Sequence, residues 1–216
     1  MAIQAILGGT FNPPHLGHIE PALHLLPALK TDKLGLMPCK IAPHKSVSVN
    51  EKHRVNMVHL CCELDKRLYP ELIELSLPAP SYTVKTLQAL KQRDNQTICF
   101  FIGADSLYNL ASWFEWEHLL DYCHLIVMRR NSETFLLPES LVEWLNANKT
   151  EDYEQLHTRP NGCILLADTP LHTVSSTELR NAIHDNEPKE LIDRWLPSAV
   201  KDYIYQHQLY QEPSNM

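Results

Sequence analysis

AIQAILGGTFNPPHLGH, residues 2–18, sets a short apolar run, a glycine-rich turn and the start of an amphipathic segment in immediate succession. AIQAILG (2–8) reads as a strand. Leu16 to Leu29 reads as a helix with Ile19, Leu23, Leu26 and Leu29 at helical spacing, cut short by Pro27. The turn between them draws three of the chain's six glycines into eleven residues. Glycine used this way lets a ligand come close to backbone. His15 and His18, three residues apart, share one face of the first helical turn. The N–H groups and partial positive charge there suit a phosphate, and two imidazoles can donate hydrogen bonds to its oxygens. The pattern is neither GxGxxG nor GxxxxGK[ST], and as a zinc site it lacks a third ligand and an HExxH pattern.

Strand-like and helix-like segments go on alternating. KLGLMP (33–38), LIELSL (72–77), TICFFIG (97–103), HLIVMRR (124–130) and GCILLAD (162–168) read as strands, TICFFIG being apolar on both faces. Helices are expected at EKHRVNMVHLCCEL, with Asn50 as cap and Val55, Val58 and Cys62 as its inner face, and at 81–92, from Asp105 and at 138–148. Residues 149–161 are the most loop-like stretch, and two or three short helices fill about 175–209. The alternation specifies an α/β chain with a doubly wound parallel sheet, expected as a single domain over 1–216. Such sheets bind ligands beyond the carboxyl ends of their strands. Gly8 to His18, Lys45 and Gly103 to Asp105 fall there.

The chain has 216 residues, 44% of them hydrophobic, 21% charged, and a formal net charge of -7. That balance argues against a broad nucleic-acid or anionic-membrane footprint. No apolar run approaches the roughly 20 residues that cross a bilayer, and MAIQAILGG has no basic n-region. Six cysteines with no CxxC pair read as free thiols of a reducing cytoplasm.

VSSTELR (174–180) is the second motif. Ser175 or Ser176 can cap a helix carrying Arg180 in its second turn, with Thr177 and Glu178 forming no ideal capping box for either. GGTFNPPHLGH resembles the GGTFDPxHxGH signature of the HxGH nucleotidyltransferases, with Asn12 where Asp is more familiar, and VSSTELR is similar to their [IV]SSTxIR signature. APHK (42–45), PSYTVKTL (80–87) and FIGADSLYNLASWFEWEHLL (101–120), followed by HLIVMRR, resemble bacterial nicotinate-mononucleotide adenylyltransferases. The likeness runs from Ala2 to about Leu209.

The resemblance implies a Rossmann-like nucleotidyltransferase fold and a set of roles. Gly8, Gly9, Thr10 and Phe11 line the nucleotide. His15, His18, Lys45 and Arg180 act on the reacting phosphates, and Ser175, Ser176 and Thr177 hold the triphosphate. Gly103 and Asp105 touch the adenosine side. Thr83 and Trp113 frame the pyridine ring, N–H groups near Thr83 and Phe114 take its carboxylate, and Arg130 assists with phosphate. Lys85 stands where the family usually has Asp, and Asn131 where RPG is usual. Trp116 is left as structural.

The implied reaction joins ATP to nicotinate mononucleotide, with Mg²⁺ held through phosphate oxygens and water rather than a protein cage. The expected assembly is a monomer or homodimer, and the 39–50 loop is expected to close over substrate. Three rival readings stand beside this one. They are a relative preferring nicotinamide mononucleotide or phosphopantetheine, a non-catalytic nucleotide sensor on the same fold, and an RNA-binding module. The phosphopantetheine enzymes lack the 101–114 stretch. A sensor has no need of His15, His18 and Arg180 together. The acidic balance opposes RNA.

Overall fold

Apolar runs buried on both faces build one parallel sheet. A computed structural model describes residues 2–40, 49–130, 137–170, 174–185 and 189–211, with only the backbone of Arg130. The strands are β1 (Ile3–Gly9), β2 (Leu34–Pro38), β3 (Leu68–Pro70), β4 (Thr97–Gly103), β5 (His124–Arg130), β6 (Lys149–Thr150) and β7 (Ile164–Thr169). Their order is β3-β2-β1-β4-β5-β7-β6, all neighbours parallel. Successive side chains leave opposite faces of a strand. Ala5 and Leu7 of β1 and Cys99 and Phe101 of β4 therefore join one core, while Ile6, Ile98, Phe100 and Ile102 join the other.

Helices cover both faces. α1 (Leu16–Leu25), α2 (Glu51–Cys62), α3 (Ile73–Ser76), α4 (Thr83–Asp94), α5 (Ala104–Tyr108), α6 (Glu139–Asn148), α7 (Gln155–Thr158), α8 (Ser176–His184), α9 (Lys189–Trp195) and α10 (Ser198–Gln206) appear in that order. Residues of α1, α2, α8, α9 and α10 pack on one face, and those of α4, α5 and α6 on the other. β1 pairs with both β2 and β4. The chain leaves β1 toward β2 on one side and later returns to β4 on the other, which makes the gap beyond Gly9 and Gly103 a topological switch point. At Gly8 an added Cβ would lie 2.6 Å from the Phe100 ring, so that ring packs over the strand end only because that position is glycine.

Four expectations need correction. LIELSL is no strand: β3 is 68–70, and 73–76 is a helical turn. Two buried glutamates override the local β pattern. Glu71 is held by Arg93 at 2.8 and 2.7 Å and accepts the Ile73 N–H at 3.1 Å. Glu74 accepts the Lys40 N–H at 3.1 Å and the Thr86 hydroxyl at 3.2 Å. Residues 149–161 are not purely loop, because Thr150 and Leu156 are buried within β6 and α7. The inner face of α2 is Arg54, Met57, Val58 and Cys61 rather than Val55, Val58 and Cys62, since Arg54 turns inward to meet two carbonyls. Ser175 and Glu178 do form a capping box: the Ser175 hydroxyl accepts the Glu178 N–H at 3.2 Å, and the Glu178 carboxylate accepts the Ser175 N–H at 2.7 Å.

His124 opens β5 with 0% exposure. Its Nδ1 accepts the Cys163 N–H at 3.1 Å and its Nε2 donates to the Arg159 carbonyl at 3.0 Å. The Nδ1 bond needs the neutral ring, and burial, ahead of nearby cations, holds its pKa below the ordinary 6.5. The unfolded chain therefore takes up the proton first as pH falls. This contribution to stability is complete above about 6.5 and declines from there down to the folded pKa. Urea midpoints are expected to fall as pH drops below about 6.5, and less steeply in His124→Asn. Parallel pH profiles for the two proteins would contradict the assignment.

Candidate functional site

Two clefts open at the switch point and share Gly8, Gly9, Thr10 and Ser106. The larger is polar and runs between the β1 loop and the start of α8. His15 caps α1 with an extended backbone (φ -148°, ψ 163°), and its carbonyl accepts the His18 N–H at 2.9 Å. That geometry lays the two imidazoles on each other, centroids 3.6 Å apart and planes 25° apart. His15 is 1% exposed and His18 half-buried. Phe11 stands edge-on to His18 at 5.8 Å. Phe11 itself sits at φ 50°, a left-handed conformation costing a bulky residue about 1–3 kcal/mol. Its buried ring offsets that cost.

The two motifs are stitched together through the loop's backbone. Arg180 donates from Nη1 to the Asn12 carbonyl at 2.8 Å and from Nη2 to Thr177 Oγ1 at 3.1 Å. The Ser176 hydroxyl donates to the Pro13 carbonyl at 3.0 Å. From the far end of the chain, the Tyr210 hydroxyl donates to Asn12 Oδ1 at 2.8 Å, and burial pushes the Tyr210 pKa up. A guanidinium fixed by neutral acceptors keeps its charge available to a ligand. Gly103 and Asp105 line the opposite wall, and a Cβ at Gly103 would meet nothing within 4 Å, so that wall is open to the cleft.

The smaller cleft is aromatic. Thr83, Trp113 and Phe114 line it together with Tyr82, Ser81 and Glu74. The Tyr82 and Phe114 rings lie 4.4 Å apart, with Lys85 Nζ 5.1 and 5.3 Å from their centroids. Trp113 follows a 3₁₀ turn (110–112), and Trp116 turns away to pack edge-on against Trp144 at 5.2 Å. Glu74 is buried, and desolvation raises its pKa against the pull of its hydrogen bonds to Ser81, Lys40 and Thr86.

Every candidate residue with a described side chain lines one of these clefts. Gly8, Gly9 and Thr10 line both; Phe11, His15, His18, Gly103, Asp105, Ser175, Ser176, Thr177 and Arg180 line the polar one. Arg130 ends β5 opposite Thr169. Lys45 and the central part of the 39–50 loop, whose closure the sequence suggested, lie outside the described residues, as does Asn131. Sequence reasoning missed Ser106, Glu74, Ser81, Tyr82 and Tyr210. Ser106, Ser81 and Tyr82 adjoin residues already singled out. Glu74 was hidden inside a supposed strand, and Tyr210 carries no local signal.

Comparison with known proteins bears on the whole chain. The family model described as cytidylyltransferase-like matches residues 6–182. A protein of Pseudoalteromonas atlantica named "Probable nicotinate-nucleotide adenylyltransferase" is 39% identical over 208 residues, covering 95% of this chain and 94% of its own length. One of the same name from Yersinia pestis is 37% identical over 215 residues, covering 97% and 96%. The solved Plasmodium falciparum nicotinic acid mononucleotide adenylyltransferase complexed with NaAD superposes with a TM-score of 0.70 at 20% identity, covering 97% of this chain and 98% of that one. That structure speaks for the fold.

Proposed function

The chain belongs to the cytidylyltransferase-like family and, within it, to the nicotinate-nucleotide adenylyltransferases, and from that premise we propose that it transfers the adenylyl group of ATP to nicotinate mononucleotide. The products are nicotinate adenine dinucleotide and pyrophosphate. The observation that carries the reading is the meeting of the two clefts at Gly8, Gly9, Thr10 and Ser106. One cleft offers imidazoles, hydroxyls and a guanidinium for a triphosphate. The other offers aromatic walls for a pyridine ring. Two substrates seated in them bring their phosphates to the shared floor.

A 5′-phosphate oxygen of nicotinate mononucleotide attacks the α-phosphorus of ATP. The new P–O bond forms as the bond to the bridging oxygen breaks, and pyrophosphate takes the electron pair. The attacking phosphate is already anionic near neutral pH, so no protein nucleophile is required. Catalysis rests on alignment and on charge stabilisation. His15 and His18 donate to the phosphoryl oxygens, Arg180 neutralises charge on the leaving pyrophosphate, and Lys45 reaches the same oxygens. Ser175, Ser176, Thr177 and the α8 N-terminus hold the triphosphate. Trp113 stacks on the pyridine ring, Thr83 borders it, N–H groups near Thr83 and Phe114 take the carboxylate, and Arg130 meets the phosphate.

Among the described residues lining the polar cleft, Asp105 is the one carboxylate. That donor set fits Mg²⁺ arriving on ATP and kept by phosphate oxygens and water, where it would neutralise triphosphate charge. A cytoplasmic setting accords with six free cysteines, and no described helix is long and apolar enough to cross a membrane.

Pyrophosphate release from Mg-ATP, with nicotinate and nicotinamide mononucleotides compared side by side, tests the proposal. Strong preference for the nicotinate form is the expected result. Equal use of both would overturn the acid-selective reading, and ATP binding with turnover of neither would turn the protein into a sensor.

A further inference from the structure

Besides strand residues of β1, β2 and β4, the aromatic cleft is lined by segments beyond the sheet, among them Thr10, Cys39 and Ser81 to Thr83. The ladder beyond β1 and β2 ends at the Cys39 N–H, which donates to the Gly9 carbonyl at 2.9 Å. Past that point, side chains take over. Arg54 of α2, 2% exposed, donates from Nη1 to the Thr10 carbonyl at 2.8 Å and from Nη2 to the Lys40 carbonyl at 3.0 Å. Glu74, 5% exposed, accepts the Lys40 N–H and the Thr86 hydroxyl, and Ser81 bonds to it as well. Lys40 is thus gripped at its carbonyl by one buried charge and at its N–H by the other. The chain of contacts runs from Thr10 through Arg54, Lys40 and Glu74 to the start of α4.

Burying such groups is a poor way to stabilise a fold, since well-packed apolar residues of similar volume often do as well or better. Arg54 also interrupts an otherwise apolar inner face containing Met57, Val58 and Cys61. Apart from Arg54 Nε, which has no hydrogen-bond partner among the described residues, the network is hydrogen-bonded, and such a network selects one arrangement of the backbone around it. Of the two charges, Glu74 reaches the aromatic cleft, and Thr10 joins that cleft to the polar one.

We propose that Arg54 and Glu74 are positioning residues that set the width and alignment of the cleft for the pyridine nucleotide, without touching the reacting phosphates. The inference rests on the two-substrate reading above. The selective member is Glu74, whose partners lie beside the walls lined by Ser81, Tyr82 and Thr83, whereas Arg54 also holds Thr10, which lines both clefts. His15, Ser175 and Arg180 are held by other contacts.

Glu74→Gln tests this, because the amide nitrogen cannot accept where a carboxylate oxygen did. KM for nicotinate mononucleotide is expected to rise about tenfold while kcat and KM for ATP change by less than about threefold, the pattern of lost binding rather than lost transition-state contact. Amide exchange at Lys40 and across 81–86 should quicken, with the core strands unchanged. Arg54→Lys, which can reach one carbonyl but not both, should act in the same direction, and Thr86→Ser, which keeps the hydroxyl, should leave wild-type constants unchanged. Parallel rises in both KM values, or a lower melting temperature with both KM values unaltered, would overturn the proposal by reducing the pair to structural support. If the wild type turns over neither pyridine nucleotide, the substrate reading fails. Exchange then decides alone: unchanged protection at Lys40 and 81–86 in Glu74→Gln overturns the coupling, and local loss of protection upholds it.

Discussion

His18→Ala is expected to lower turnover by about 10²-fold or more with the fold intact, the loss typical of one donor aimed at developing charge. The fold should survive because His18 is only half-buried, in the first turn of α1, and it fills no part of either core. Alanine is also the better helix former. What disappears is one ring of the stacked pair and its edge contact with Phe11. Steady-state kinetics with saturating ATP, alongside far-UV circular dichroism and a thermal melt, make the check. A well-folded mutant with near-normal turnover would remove His18 from the catalytic set. His15→Ala is a less informative experiment, since His15 is buried at the helix cap and its loss mixes chemistry with packing.

Gly17→Ala should damage both stability and turnover. Helix propensity by itself argues the other way, because alanine in a helix gains roughly 0.5–1 kcal/mol over glycine. Sterics decide the sign. An added Cβ would lie 2.5 Å from Val174 Cγ1 and 3.0 and 3.2 Å from two atoms of the His15 ring. Val174 is buried and β-branched, so it has little rotamer freedom to yield. Overpacking of this kind costs about 1–3 kcal/mol, which exceeds the propensity gain. The ring of His15 must shift as well, and misplacing a catalytic group by about 1 Å can cost as much as 10²-fold. A melting temperature below wild type, together with at least about a tenfold loss of turnover, is the expected result. A melting temperature at or above wild type with activity kept would show that Val174 gives way and that the site does not need the space at Gly17.

Much of the architecture was legible locally. TICFFIG and HLIVMRR announced β4 and β5 because strands buried on both faces must be apolar throughout. Asn50 announced α2 because a side-chain oxygen before a helix meets an orphan N–H, here that of Lys52 at 2.9 Å. Two of the misreadings share one cause. Residues 72–77 look like a strand until Glu71 and Glu74 find Arg93 and Lys40, 22 and 34 residues away along the chain. The inner face of α2 departs from the one read from Val55, Val58 and Cys62 because Arg54 faces the Thr10 and Lys40 carbonyls.

The division at the site follows the same logic. The alternation of strands and helices and the glycine turn before α1 are written in short-range spacing, and sequence by itself determined them; the pairing of GGTFNPPHLGH with VSSTELR came from the resemblance to a known family. Spacing says nothing of contacts between residues 12 and 180, 12 and 210, or 40 and 74. Only the tertiary structure decided that Arg180 is braced by Asn12, that Tyr210 returns to the first loop, and that two buried charges grip Lys40 behind the aromatic cleft. The physical reason is that a buried polar group must be satisfied wherever the fold brings a partner within reach, and chain separation leaves no trace of that partner in the local pattern.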